Sequence, residues 1–318
     1  MLSRVAERVY WMARYLERAE NTARLVNAYT TQVMDLPRGV EPGWKHLVDI
    51  VGAGASFDAR YARYDERSTI TFLVADADYP GSIMSSLALA RENVRTTRDI
   101  LPTEAWTHTN ELYLHAKTSV EQAVGRKHRF DCLTDVVFRC QQIAGLLAGT
   151  MSHDAAYEFV CIGRNLERAD MTTRIVDGAV FMLMPRKAEP AAYDSILWVN
   201  VLKSLSAYQM YRQHVRNRVV ADEVVHFLLQ DHRFPRSVRH AIADSAASLA
   251  TLPRNGPALH SLGRVQARLD VVDVRAMELD ALHRLIDELQ ADLAGVHDQI
   301  RATWFGADAS VERQAQSA

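Results

Sequence analysis

The chain has 318 residues, 37 Lys+Arg against 39 Asp+Glu for a formal net charge of -2, and is 48% hydrophobic. That length and apolar fraction allow one large domain or two ordinary ones with a real core, and exclude a disordered tail protein, a collagen-like repeat and a strongly basic nucleic-acid binder. Only 14 Gly and 9 Pro argue against an all-β chain built on many tight turns.

The first segment, MLSRVAERVYWMARYLERAE, carries a charge every few residues and no apolar h-region, so it does not read as a signal peptide. Its apolar positions Val5, Val9, Met12, Leu16, Ala19, Ala23 and Val26 step by 4,3,4,3,4,3, the seam of a helix. Periodicity predicts further helices near 81–100, 103–124 and 129–150. A second seam, Ala155, Phe159, Ile162, Leu166, Ala169, Thr173 and Val176, repeats the same steps, and helices follow near 191–218, 235–250 and 257–300. Pro37, Pro42, Pro80, Pro102, Pro185, Pro190, Pro235, Pro253 and Pro257 fall between these stretches or in first turns. Asp76 and Asp231 precede turns, and Ser82 and Ser237 suit N-caps. Strand-like alternation is nearly absent, and no uncharged apolar run approaches the roughly 18 residues of a membrane span. A soluble, cytoplasmic, all-α protein without membrane contact is expected. Cys132, Cys140 and Cys161 lack bridging or metal-ligand spacing and read as reduced, partly buried thiols.

The chain resembles itself. Residues 10–25 (YWMARYLERAENTARL) and 160–175 (VCIGRNLERADMTTRI) align at a shift of 150, matching Arg14 with Arg164, Glu17 with Glu167, Arg18 with Arg168 and Arg24 with Arg174. Residues 72–83 (FLVADADYPGSI) and 227–238 (FLLQDHRFPRSV) align at 155, and Trp44 matches Trp198 at 154. The fold expected is all-α, a multi-helix bundle of two tandem pseudo-symmetric repeats: 1–150, and 151–305 packed on it as a single bundle, with 306–318 a disordered tail.

Thirty-two of the basic residues are arginines, which offer bidentate hydrogen bonds to carboxylate or phosphate. Arg14, Glu17, Asn21 and Arg24 form one polar stripe beside the seam, and Arg164, Glu167, Met171 and Arg174 repeat it. Arg18 and Arg168 lie in half-apolar rows. A lone buried charge costs several kcal/mol, so each needs a carboxylate or another anion. Glu17 and Arg18 stand about 100° apart on their helix and point to different neighbours. Either the Glu-Arg pairs close ion pairs that fix packing, or both copies face one central cleft that holds an anionic ligand. A third cluster, Arg91, Glu92, Asn93 and Arg95, is lost at the 155 shift, where Ala246, Ala247, Ser248 and Ala250 stand instead. It joins the candidate ligand-binding set of Arg14, Glu17, Arg18, Arg24, Arg164, Glu167, Arg168 and Arg174. No residue is assigned a catalytic role.

Other patterns are weaker. Glu223 and His226 form half of a di-iron motif with no second pair. Asp280 with His283 and Glu111 with His115 lack a third ligand. Gly52 and Gly54 lack the rest of a dinucleotide fingerprint, and no P-loop or nucleophile elbow occurs. No metal or cofactor is assigned.

The stretches MLSRVAERVYWMARYLERAENTAR, ALARENVR, CQQIAGLLAGTMSHDAAYEFV, IGRNLERADMTTR, LKSLSAYQMYR and FLLQDHRFPRSV together resemble the bacterial alpha-E family, named for a predicted α-helical domain with a Glu-Arg motif. Asn165 departs from the pattern, standing where a second charged residue is usual. Genes of this family neighbour a circularly permuted ATP-grasp ligase, a transglutaminase-like peptidase and sometimes a proteasome-related hydrolase, and some members are fused to the ATP-grasp module. The resemblance implies a non-catalytic or co-catalytic partner of an ATP-grasp amide ligase in peptide synthesis or modification. It would hold an anionic small molecule or peptide and no nucleic acid. Two alternatives stand beside it: a stand-alone enzyme or metal-binding bundle using convergent glutamates, and a structural oligomerisation module.

Overall fold

A computed structural model describes residues 3–35, 43–184, 191–215 and 218–306. Residues 307–318 of the expected tail lie outside them, as do Pro37, Pro42, Pro185 and Pro190. The described residues are helical with no strand. In chain order the α-helices are α1 (Ser3–Asp35), α2 (Lys45–Ile50), α3 (Gly54–Asp58), α4 (Glu66–Ile70), α5 (Ile83–Arg95), α6 (Thr103–Val124) and α7 (Arg126–Thr150). Then come α8 (Ala155–Leu183), α9 (Ala191–Ser204), α10 (Tyr208–His214), α11 (Ala221–Gln230), α12 (Val238–Ala250), α13 (Gly256–Val271) and α14 (Leu279–Trp304).

The two predicted seams are the inner faces of α1 and α8. Val9, Met12, Ala19, Ala23 and Val26 are buried on one, and Ile162, Leu166, Ala169, Thr173 and Val176 on the other. α1 packs on α5 and α7, which are joined by α6; α8 packs on α12 and α14, which are joined by α13. Each half is thus a four-helix arrangement, and α1 against α8 is the join. The two helices run parallel: Tyr10 meets Gly163, Arg18 meets Glu167, and Leu25 and Tyr29 share a small cavity with Ile175 and Ala179. A Cβ on Gly163 would strike the Tyr10 carbonyl, so glycine is what lets the backbones approach.

Local hydrogen bonds recur along the chain. The Asp76 carboxylate accepts from the N–H of Asp78 and Tyr79, and its carbonyl from the Ser82 hydroxyl, which in turn caps α5 through Ser85 N–H. Asp231 accepts from Arg233 and Phe234 N–H, its carbonyl from Ser237, and Ser237 caps α12 through His240 N–H. Gly52 and Ser206 both adopt positive φ, 68° and 50°, and close the same pair of backbone bonds after α2 and α9.

Two predicted helices are broken. The stretch near 191–218 stops at Ser204, because Ser206 turns left-handed, and restarts as α10. The stretch near 257–300 splits at Val272, which is extended. Gln230 Nε2 donates to the Leu269 and Val272 carbonyls at 2.6 and 2.9 Å, satisfying the end of α13. Asp273 then accepts from Arg275 N–H and starts a short 3₁₀ turn before α14.

Candidate functional site

Parallel packing sets the Glu-Arg sequences of α1 and α8 side by side at nearly equal height. Glu17 and Glu167 are both about 3% exposed. Glu167 accepts from Arg14 Nε at 2.7 Å, from Arg18 Nε at 2.6 Å and from Arg18 Nη2 at 3.1 Å. Reciprocally, Arg168 Nε lies 3.0 Å from Glu17 Oε2. Each glutamate therefore serves arginines of the other helix. Burial alone would raise the Glu167 carboxyl; Arg18 and Arg14 overcome it and hold it at about 2. Burial likewise opposes ionisation of Glu17, and Arg236 and Arg168 bring it below the ordinary carboxylate value.

On one side of the helix pair lies a cleft of about 370 Å³. Its floor is Arg14, Arg18, Glu167, Asp170 and Arg174, and its walls include Tyr79, Gly81 and α14, with the Trp11 ring packed against His297 of α14. Arg174 Nε donates to Asp170 at 2.8 Å. The Arg174 guanidinium passes over Gly52, where a Cβ would stand 2.7 Å from Nη1, so glycine there makes room for it. α14 contributes Gln290, His297, Asp298 and Arg301. Arg14 Nη1 donates to the Tyr10 hydroxyl at 3.3 Å, and that hydroxyl lies 2.9 Å from His297 Nδ1. Where the Tyr10 hydroxyl donates its proton to Nδ1, the neutral His297 ring carries its own on Nε2. Burial, with Arg14 and Arg301 nearby, pushes His297 down to about 3, so it is neutral at ordinary pH.

Four guanidinium groups and three carboxylates line the cleft, one positive charge in excess. Glu167 already takes three N–H groups, close to the four a carboxylate accepts. The arginines engage only part of their five-donor forks: Nε and Nη1 for Arg14, Nε and Nη2 for Arg18, Nε for Arg174. The chemistry left over is donor-rich, which suits a carboxylate or phosphate.

The opposite side of the pair is closed. Arg236, from the turn before α12, reaches in and donates to Glu17 at 2.8 Å, Asn21 at 2.7 Å and Glu20 at 2.6 Å. Arg24 pairs with Glu20 at 2.7 Å and also bonds Ser206. A cavity of only about 20 Å³ remains there, bordered by Glu17, Glu20, Arg164 and residues of α7. Arg168 Nε holds the second Glu17 oxygen as an ion pair without an aligned hydrogen bond, and the buried Arg164 Nε makes no hydrogen bond among the described residues.

Of the residues expected to share one cleft, Arg14, Arg18, Glu167 and Arg174 line the open one, whereas Glu17, Arg24, Arg164 and Arg168 stand on the closed side. Arg91, Glu92, Asn93 and Arg95 border neither. Arg91 bonds Asn110 at 2.7 Å and lies over the rings of Trp106 and Tyr113, while Glu92 and Arg95 form an exposed pair. The Asn93 carbonyl accepts from Thr96 and Thr97. Glu223 of the half-motif is taken bidentately by Arg275. His283 sits with Asp177 and Asp287, their ligand atoms within 4.8 Å of one another, a group with metal-holding chemistry whose members do not line the cleft. Sequence reading did not select Asp170, Tyr79, Gly81, Arg236 or the α14 wall. The contrast of Gly81 with Arg236 was visible at the 155 shift; the α14 wall had no motif to mark it.

The model of the Alpha-E family, described as a predicted alpha-helical domain with a conserved ER motif, matches residues 1–305. Among curated proteins, an uncharacterized protein of Mycobacterium bovis is 24% identical and one of Mycobacterium tuberculosis is 25% identical, each alignment covering 94% of this chain. Both alignments cover 36% of the relative, so the chain spans about a third of the length of these proteins. No solved structure matches. No helix among the described residues is long and apolar enough to cross a membrane.

Proposed function

The chain belongs to the Alpha-E family, and from that premise we propose that it is the ligand-holding partner of an ATP-grasp-type amide ligase in a peptide synthesis or modification system. In this reading ATP and its chemistry reside on the ligase, and this chain holds an anionic substrate group in the open cleft. The observation that carries the binding half is the cleft itself, with a carboxylate nearly filled by arginines and a remainder of unspent N–H donors. The partner half draws on the family resemblance. It is consistent with relatives in which the matched region is only 36% of a longer chain, leaving room for further modules. A transglutaminase-like peptidase would act in the same system. The duplicated scaffold, 1–150 and 151–305 packed as one bundle, is part of the proposal. It is supported by the reciprocal pairs Glu17–Arg168 and Glu167–Arg18 and by the recurring Asp76 and Asp231 turns.

The test is co-purification with the neighbouring ligase, followed by ADP release with and without this chain. Complex formation and faster ADP release are expected. A ligase with full turnover alone and no complex refutes the partnership. A second reading, in which the Glu-Arg network only fixes packing, is favoured by its presence on the closed side, where no ligand fits. Arg174→Ala, which leaves the Glu167 pairs intact, separates the two: little-changed melting with lost binding supports the cleft, and retained binding supports packing.

A further inference from the structure

The two sides of the α1–α8 pair can be compared position by position. At a shift of 150, Arg14, Leu166, Glu167 and Asp170 of the open cleft correspond to Arg164, Leu16, Glu17 and Glu20, which border the small closed cavity. The same shift runs along the outer wall. Gln290, Ala294, His297 and Asp298 of α14 correspond to Cys140, Ala144, Leu147 and Ala148 of α7, and those four border the closed cavity too.

This correspondence separates two kinds of residue. The Glu-Arg floor is present on both sides, including the one with no room for a ligand, so its presence is explained by helix packing. The wall differs. Gln290, His297 and Asp298 give way to Cys140, Leu147 and Ala148, three polar groups to three apolar or weakly polar ones. At the 155 shift, Tyr79 and Gly81 give way to Phe234 and Arg236, and Arg236 fills the space. A Cβ at position 81 would strike the Tyr79 ring and hydroxyl, so any side chain there requires the ring to move aside, as it must where Phe234 precedes Arg236. The side that keeps its volume also keeps its hydrogen-bonding wall.

The wall is not simply cationic. Asp298 is the one cleft carboxylate not held closely by an arginine: its contact with Arg301 is 3.6 Å and its side chain is 62% exposed, whereas Glu167 and Asp170 are bonded at 2.8 Å or less. Donors on the floor and an available carboxylate on the rim call for a ligand with both signs of charge. The single positive excess of the lining calls for one more negative than positive group on it.

We infer that the open cleft recognises an α-amino acid or short peptide with a free amino group, its carboxylates on the guanidinium ends of Arg14, Arg18 and Arg174 and its ammonium group on Asp298. Gln290 and the neutral His297 ring supply uncharged hydrogen-bonding groups. This rests on the anion-holding reading above and deepens it by naming the ligand class and the residues that select it. The second, closed position makes the capacity one ligand per chain.

Isothermal titration calorimetry of the full chain with L-glutamate, N-acetyl-L-glutamate and inorganic phosphate tests it. L-Glutamate is expected to bind once per chain, and N-acetylation to weaken it at least tenfold in the wild type. Asp298→Asn, at the exposed rim, should remove that discrimination while melting stays unchanged. Tyr79→Phe with Gly81→Arg should close the cleft to every probe. If the anions bind but N-acetylation and Asp298→Asn leave their affinities within twofold, the wall assignment is overturned and the anion-holding reading survives. If no probe binds the wild type, both fall.

Discussion

Replacing Glu167 by glutamine tests the centre of the network. The substitution keeps the side chain's size and removes its charge, leaving Arg14 and Arg18, 12% and 22% exposed, without their shared carboxylate. Two routes give the magnitude. Breaking a buried pair by removing one partner costs about 3–5 kcal/mol. Independently, a carboxyl held at about 2 rather than its ordinary 4.5 contributes about 3 kcal/mol to folding at neutral pH. The sign follows from the direction: the folded carboxyl binds its proton less readily than the unfolded one. Its contribution is therefore complete above pH 4.5 and is lost as pH falls toward 2. By pH 3 about 2 kcal/mol of it is gone. Urea unfolding of wild type and Glu167→Gln, at pH 7 and pH 3, reads both effects. Glu17 titrates in both proteins and cancels in the difference. At pH 7 the variant should be less stable by about 3 kcal/mol, and its melting point lower by about 4–5 °C. A pH 7 difference below about 1 kcal/mol, or one equally large at pH 3, refutes the reasoning.

Arg236→Ala strips Glu17, Glu20 and Asn21 of a common donor on the closed side; a loss of about 3–5 kcal/mol is expected in the same urea assay. Gly163→Ala should destabilise by about 1–3 kcal/mol, since its new methyl meets the Tyr10 carbonyl. Gly145→Ala, in α7 with nothing within 4 Å of the added atom, should stabilise by about 0.5–1 kcal/mol. Opposite signs for one substitution in two long helices check the close approach directly. With a thiol reagent at neutral pH, half-buried Cys132 should react before fully buried Cys140, whose thiol burial pushes well above its ordinary value; labelling followed by peptide mass spectrometry reads the order.

Helix positions were legible because the apolar steps of α1 and α8 are regular, and both seams are buried from Val9 and Phe159 onward. The breaks at Ser206 and Val272 were not. A left-handed serine carries no glycine signal, and the end of α13 is closed by Gln230 from another helix. At the site, the Glu-Arg stripes identified the floor because charge beside an apolar seam is costly and so informative. Which side of the helix pair each arginine joins depends on the neighbour that plugs the space, and that neighbour, Arg236, is distant in sequence. The α14 wall was silent because Gln290, His297 and Asp298 sit in an ordinary amphipathic helix, where polar residues at these spacings need no further reason.

That the same ion pairs recur on an open and a closed side has a physical reason independent of any ligand. The seams of α1 and α8 include small buried residues, Ala19, Ala23, Ala169 and Thr173, whose surfaces alone would tolerate a slide of one turn, about 5.4 Å. The charges would not. Such a slide carries Glu167 away from one of its two arginines, Arg14 or Arg18, and Arg168 away from Glu17, at a cost of several kcal/mol. The network thus fixes which turn of α1 meets which turn of α8, and with it the height at which α14 and the Tyr79–Gly81 turn stand over Arg14 and Arg174. A floor fixed in this way can be shared by both halves. Selectivity then falls to residues free to differ between them, where the open cleft places Asp298 and the closed side has Ala148.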